Sequence, residues 1–376
     1  MNLPRALAAG LLAVVFVMTT AACGGVKNPE GWASPVVSDS SIYFFPKKDR
    51  LTALTVEADG TVRETWSIPN SSQGDAKSEF KAVYDAAEDD DSLYFGSWDG
   101  ELYAVEKDDG AVRWSRGDEI AGGIVGGPVL AGENLVFGTT DGRLYLLNKD
   151  SGNTASGWPK DGLRFSKGIY AAPVVSGDAV YVATMGGEVY AYRLSDASPV
   201  WAQPFENSGA IADLALVGDD RLFVPGLNKK VTILSTSDGS VAAGPFAIGQ
   251  WVWSRPAVEG NVVYFGDFAG KVHALDITSG QDVWAPYDAG ARIKSAPVII
   301  GDMLIVATRD PEVHFIDRKT GQMKNSVPLL EGSGSVRAAL VVRDGKALVA
   351  TTKGKLFEAD PSRLAVTPLT IVSLAR

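Results

Sequence analysis

Residues 128–151 read PVLAGENLVFGTTDGRLYLLNKDS, and residues 256–279 read PAVEGNVVYFGDFAGKVHALDITS. Both open on Pro and run through two or three apolar residues to a polar turn with Gly. A triplet of β-branched or aromatic residues follows, then a second Gly turn, then an apolar run ending near Asn148 or Asp276. The same order recurs at 173–195 (PVVSGDAVYVATMGGEVYAYRLS) and 297–320 (PVIIGDMLIVATRDPEVHFIDRKT). Aligned on its first slot, the pattern falls on Pro35, Ala86, Pro128, Pro173, Leu214, Pro256, Pro297 and Leu340, at intervals of 51, 42, 45, 41, 42, 41 and 43 residues. A nearly fixed period in this range marks a repeat architecture, here of eight units.

Within each unit the apolar residues come in short runs bounded by Gly, Asp and Asn, and helical spacing is never sustained. Such runs are strands. Four short strands in a period of the low forties make one blade of a propeller, and a blade that is apolar on both faces must stack against neighbours on each side. The expected fold is therefore all-β: an eight-bladed β-propeller of four-stranded antiparallel blades, with residues 32–376 as one domain. Trp66, Trp114, Trp158, Trp201 and Trp284 close five of the units and suit large wedges between neighbouring sheets. Three places depart from the pattern. Unit one carries a polar insertion from Ser67 to Phe80, which reads as a loop. Unit five has Leu214 in place of Pro and lacks the closing Trp, and unit eight ends in an apolar stretch through Val372 that suits an outermost strand. The sequence leaves open whether the ring closes by sharing a blade between the termini.

The first residues assign a compartment. Arg5 precedes an apolar run from Ala6 to Met18, shorter than a bilayer-spanning helix and shaped like a signal-peptide core. The lone Cys of the chain follows at Cys23. Thr20-Ala21-Ala22-Cys23 resembles the lipobox of bacterial lipoproteins, with Thr20 where that family usually has Leu. This resemblance implies a lipoprotein signal peptide at 1–22, lipid attachment at Cys23 and a lipidated tether over 23–31. Gly24 replaces the Asp associated with inner-membrane retention, which is compatible with sorting to the periplasmic face of an outer membrane. In a cell with one membrane the same anchor holds the protein at the cell surface. Loss of 1–22 removes Arg5 and no acid, moving the formal net charge from −10 to −11. An acidic body argues against a nucleic-acid partner. With a single Cys no internal disulfide forms, so packing and strand pairing must hold the ring.

The recurring Gly-x-Leu-Tyr-Ala-Val/Leu-Asp run, followed by a Gly turn and often Trp, resembles the PQQ-type propeller repeat over essentially the whole mature chain. Two branches of that superfamily matter. The quinoprotein alcohol dehydrogenases bind pyrroloquinoline quinone and calcium at the propeller axis and carry an adjacent Cys–Cys disulfide, which this chain lacks. The BamB-like lipoproteins are eight-bladed scaffolds of outer-membrane protein assembly. A lipid-anchoring Cys, a short tether and eight repeats resemble them. That resemblance implies a non-enzymatic binding or scaffold protein of the cell envelope, a protein partner in an envelope complex, membrane contact through the lipid, and no cofactor. Fold does not decide function. Two other classes stay open: a PQQ-dependent, dehydrogenase-like quinoprotein, and a sensor or carrier for an anionic or glycan ligand.

No catalytic or metal-ligating set emerges from the residues. The two histidines, His273 and His314, fall in the slot that holds Tyr103, Tyr145, Tyr190 and Phe357 in other units, so they read as substitutes for a structural aromatic. The acidic run Glu88 to Asp91 lacks the alternating spacing and Gly of a calcium loop and reads as a solvated turn. The candidate site lies instead in the loops that lead into each innermost strand and crowd the axis. Three residues before the first slots stand Trp32, Val83, Val125, Tyr170, Ile211, Trp253, Lys294 and Arg337. Five before stand Lys81, Trp251 and Arg292, and Arg255 directly precedes Pro256. An acidic chain thus gathers cations and aromatics at the ring mouth, most densely over units six to eight. Two explanations remain. The aromatics pack between blades while the cations pair with acids such as Asp85 and Asp213; or Trp251, Trp253, Arg255, Arg292, Lys294 and Arg337, joined by Tyr170 and Lys81, bind an acidic partner segment or an anionic or glycan ligand.

Overall fold

The computed structural model describes residues 31–373 apart from 39, 48–49, 58 and 70–79. The signal peptide, Cys23, nearly all of the tether and most of the insertion in unit one lie outside the described residues. Eight antiparallel sheets form a ring, with no helix among the described residues. Blade three is typical: Val129–Ala131 innermost, then Asn134–Gly138, Arg143–Asn148 and the short outer strand Leu163–Arg164. The second and third strands keep one register around the ring. Phe95 lies opposite Tyr103, Phe137 opposite Tyr145, Phe265 opposite His273 and Val306 opposite His314. Both histidines therefore occupy the aromatic slot.

The core is divided among the eight seams between blades. Leu135 and Phe137 pack with blade-two residues Tyr94 and Leu102, while Val136, between them, packs with Val180 and Val182 of blade four. Successive side chains on a strand point to opposite faces, so a strand buried on both faces must be apolar throughout. This is why the repeat shows unbroken apolar runs rather than alternation. Each fully buried Phe or Leu removed from water contributes about 1.5–3 kcal/mol.

The closing tryptophans seal the outer part of five seams. Trp66, Trp114, Trp158, Trp201 and Trp284 donate Nε1–H to the carbonyls of Lys107, Lys149, Leu194, Thr236 and Arg318 of the next blade, at 2.7–3.0 Å. Three residues past each carbonyl the turn reaches positive φ, at Gly110, Gly152, Ala197, Gly239 and Gly321. A Cβ on Gly239 would stand 2.6 Å from the Trp201 ring and one on Gly321 2.4 Å from the Trp284 ring. Glycine there serves both the left-handed turn and the seating of the indole. Unit five, without Trp, uses Phe246 in the same way: a Cβ on Gly280 would meet it at 2.5 Å.

Closure is settled by the last residues. Ala365–Pro368 is the outer strand of blade eight, and Ile371–Val372 then runs parallel to Val62–Ile68, the outer strand of blade one, pairing Ile371 with Val62. The four strands of blade one are consecutive in sequence, so the ring closes by adding a fifth strand to a complete blade. Ile42, Phe44 and Leu54 meet Leu348, Leu356 and Leu369 beneath it.

Candidate functional site at the ring axis

Each crossover between blades is pinned before it reaches the axis. Ile124, Ile169 and Ile293 are fully buried and fill the space above Gly96, Gly138 and Gly266, where a Cβ would come within 2.1–2.3 Å of them. Their amides donate to Ser97, Thr139 and Asp267 carbonyls at 2.9–3.1 Å. The following residue is thereby turned to the axis. The eight axial positions are Trp32, Tyr84, Val125, Tyr170, Ala212, Trp253, Lys294 and Arg337, one from each blade, and together with Arg255, Asp85 and Asp213 they line a cavity of about 100 Å³.

Six of these positions are those read from the sequence; two are corrected. Val83 and Ile211 do not face the axis. Crossovers two and five are one residue shorter between the pinned aliphatic and the innermost strand, so Val83 and Ile211 are themselves the pinned aliphatics, 1% and 0% exposed. Val83 pairs with Ser97, and the Ile211 amide donates to the Thr184 carbonyl. Tyr84 and Ala212 take the axial places. Lys81, Trp251 and Arg292 also fall outside the cavity lining. Their carbonyls accept the amides of Trp98, Phe268 and Arg309 at 2.7–3.0 Å, which ties each to the loop after the second strand of the blade it leads into. Lys81 pairs with Asp99 at 3.3 Å, and Trp251, 44% exposed, lies against Phe268.

The shortened crossovers also supply the acids of the cavity. The backbone amide of Arg255 donates to Asp213 Oδ2 at 2.8 Å, its Nε lies 3.4 Å from the same oxygen, and its guanidinium stands 3.6 Å from Asp85. The Asp213 carboxylate holds Arg255 firmly charged, while burial pushes the Asp85 carboxyl up despite Arg255 beside it. The Arg255 side chain is 45% exposed and is among the groups that line the cavity. Arg255 thus carries out the internal pairing that the first of the two sequence readings described.

Lys294 is placed differently. Its ammonium lies 3.8 Å from the ring centroid of Trp32 and 4.4 Å from that of Trp253. Among the described residues these two indole faces are its close partners. Arg337 also approaches Trp32, at 5.7 Å. Burial, then repulsion from Arg337 and Arg309, brings the Lys294 ammonium down to about 8. Trp32 meets Tyr84 edge to face at 4.5 Å and Trp253 stacks on Phe268, so both indoles are braced from behind.

Elsewhere the chemistry is structural. His273 stacks on Phe265 and lies between Asp267 and Asp282 at 3.3 and 3.4 Å; these hydrogen bonds raise its protonation against the opposing effect of burial. His314 meets the Tyr287 hydroxyl at 3.1 Å. The acidic run is solvated only in part. Asp89 accepts from the Asp91 and Ser92 amides and the Tyr94 hydroxyl and pairs with Lys149, and Glu88 pairs with Lys107. Among the described residues no group of three or more His, Cys, Asp or Glu is arranged to hold a metal ion.

Fold and site together define an eight-bladed propeller whose axial mouth carries aromatics and cations. The chain belongs to the PQQ-like repeat family described as outer membrane protein assembly factor BamB, whose family model matches residues 17–118, 155–285 and 246–363. No curated protein sequence matches it. Among solved structures it is similar to BamB from Moraxella catarrhalis (16% identity, 86% of this chain and 92% of that one, TM-score 0.68). It is equally similar in shape to the computationally designed Ika8 protein (15%, 88% and 96%, TM-score 0.70) and to Saccharomyces cerevisiae Sqt1 (9%, 88% and 95%, TM-score 0.71). At such identities these structures establish the ring and nothing about its role.

Proposed function

We propose that the protein is a non-enzymatic, lipid-anchored scaffold of the cell envelope, serving outer-membrane protein assembly as its family description states. The observation that carries this is the family match, which spans most of the ring. In this reading Cys23 ties the ring to the membrane and the axial face receives a protein partner. Trp253, Lys294 and Arg337 are the central contacts, with Tyr170 on the opposite wall. Trp251, Arg292 and Lys81 extend the contact beyond the cavity. Aromatic anchors flanked by cations suit an acidic partner surface, the aromatics supplying affinity and the charges orientation.

A quinoprotein role fits the residues poorly. The chain has no adjacent Cys pair, and among the described residues no group of three or more His, Cys, Asp or Glu is arranged to hold a calcium ion. The test is a mild-detergent pull-down through the native anchor. The wild type is expected to retain an envelope complex that Trp253→Ala loses, and Cys23→Ser is expected to leave the membrane fraction. Quinone-dependent reduction of an artificial acceptor after reconstitution with pyrroloquinoline quinone and calcium would overturn the scaffold assignment.

A further inference from the structure

We propose that the axial cavity binds a single carboxylate group, received by the Lys294 ammonium between the indole faces of Trp32 and Trp253. This names the chemical group received at the axial contacts of the scaffold assignment: a side-chain site rests on that assignment, whereas a free-acid site stands without it. Size is the first argument. With about 100 Å³ lined by all eight blades and open to solvent at its mouth, the cavity admits a group the size of acetate.

Charge is the second. Arg255 is matched by Asp213 and Asp85, so its charge is already answered inside the cavity. The ammonium of Lys294 instead meets two π faces, with Arg337 and Arg309 repelling it. Indole faces hold an ammonium in place but leave its N–H groups without a strong acceptor, and a carboxylate supplies one while offsetting the crowding of cations. Arg255, Asp213 and Asp85 answer one another, which leaves the Lys294 ammonium as the charge that a monoanion meets; a phosphate dianion would stand against both acids. The carboxylate can be a free short-chain acid or the end of a Glu or Asp side chain from a partner.

Protonation gives the test its handle. Lys294 titrates near 8, whereas burial pushes the Tyr84 hydroxyl up, so Tyr84 stays neutral over the same range. Arg255, beside the Asp213 carboxylate, keeps its charge throughout. Raising pH from 7 to 9.5 therefore discharges Lys294 and should weaken carboxylate binding about tenfold or more.

The experiment titrates sodium acetate against chloride at matched ionic strength, read by calorimetry and thermal shift on the lipid-anchored protein in detergent. A second arm uses a short Glu-containing peptide and its Gln counterpart. Saturable acetate binding that weakens at pH 9.5 and is lost in Lys294→Met establishes a free-acid site. Binding of the Glu peptide alone, with the same two dependences, establishes a side-chain site. No saturable response in either arm, or a response unchanged at pH 9.5 or in Lys294→Met, overturns the proposal. The pH arm needs no variant, so it remains decisive should Lys294→Met fold poorly.

Discussion

Trp201 and Trp253 belong to consecutive crossings of the same ring, yet they use opposite parts of the indole. Trp201 lies in the seam between blades four and five, 4% exposed, its Nε1–H bonded to the Thr236 carbonyl and its ring seated on Gly239. Trp253 stands at the axis, partly exposed, with Phe268 stacked behind it and the Lys294 ammonium against its face. In the seam the polar edge is satisfied by the next blade, and the ring removes apolar surface from water. At the axis the π face is what matters, because its negative potential holds a cation. Residue type is the same in both; position within the repeat decides the role.

The comparison breaks first at the seam. Trp201→Ala should remove about 3–5 kcal/mol of stability, read as a lower denaturation midpoint, because it opens a cavity over Gly239 and leaves the Thr236 carbonyl with the Tyr181 hydroxyl as its remaining side-chain donor. Partner or carboxylate binding measured well below the melting point should be unchanged. Loss of binding with intact stability would mean that this seam communicates with the axis.

A smaller effect is expected for Arg255→Ser. It leaves Asp213 and Asp85 facing each other across the cavity without their shared cation, and since that cavity is open to water the cost should be about 1–2 kcal/mol rather than the 3–5 of a fully buried pair. Adding Asp213→Asn should restore part of it. If Arg255→Ser instead weakened binding at unchanged stability, Arg255 would belong with Lys294 rather than with the architecture.

The smallest change in stability is expected for Trp253→Ala, about 0.5–2 kcal/mol for a partly exposed cation–π contact. It should nonetheless weaken axial binding the most, with Trp32→Ala close behind. A midpoint shift as large as that of Trp201→Ala would make Trp253 another wedge and move the contact surface away from the axis.

Much of this was legible before any coordinate. The period, the blade count and the strand boundaries follow from apolar runs punctuated by Gly and Asp, since a sheet buried on both faces leaves no freedom for polar residues within its middle strands. The histidines were recognisable as aromatic substitutes because register within a repeat is repeated with it. The axial slots of Trp32, Tyr170, Trp253, Lys294 and Arg337 were legible for the same reason. Tertiary structure alone decided the rest. Counting back from the innermost strand failed at Val83 and Ile211, where a crossover one residue shorter turns the neighbouring side chain to the axis. Those two crossovers bring in Asp85 and Asp213, already named in the sequence as candidate partners, and the structure gives both of them to Arg255. The closing strand at Ile371–Val372 was equally hidden, because two residues carry too little pattern to name a partner about three hundred residues away in sequence; only the meeting of the first and last blades supplies it.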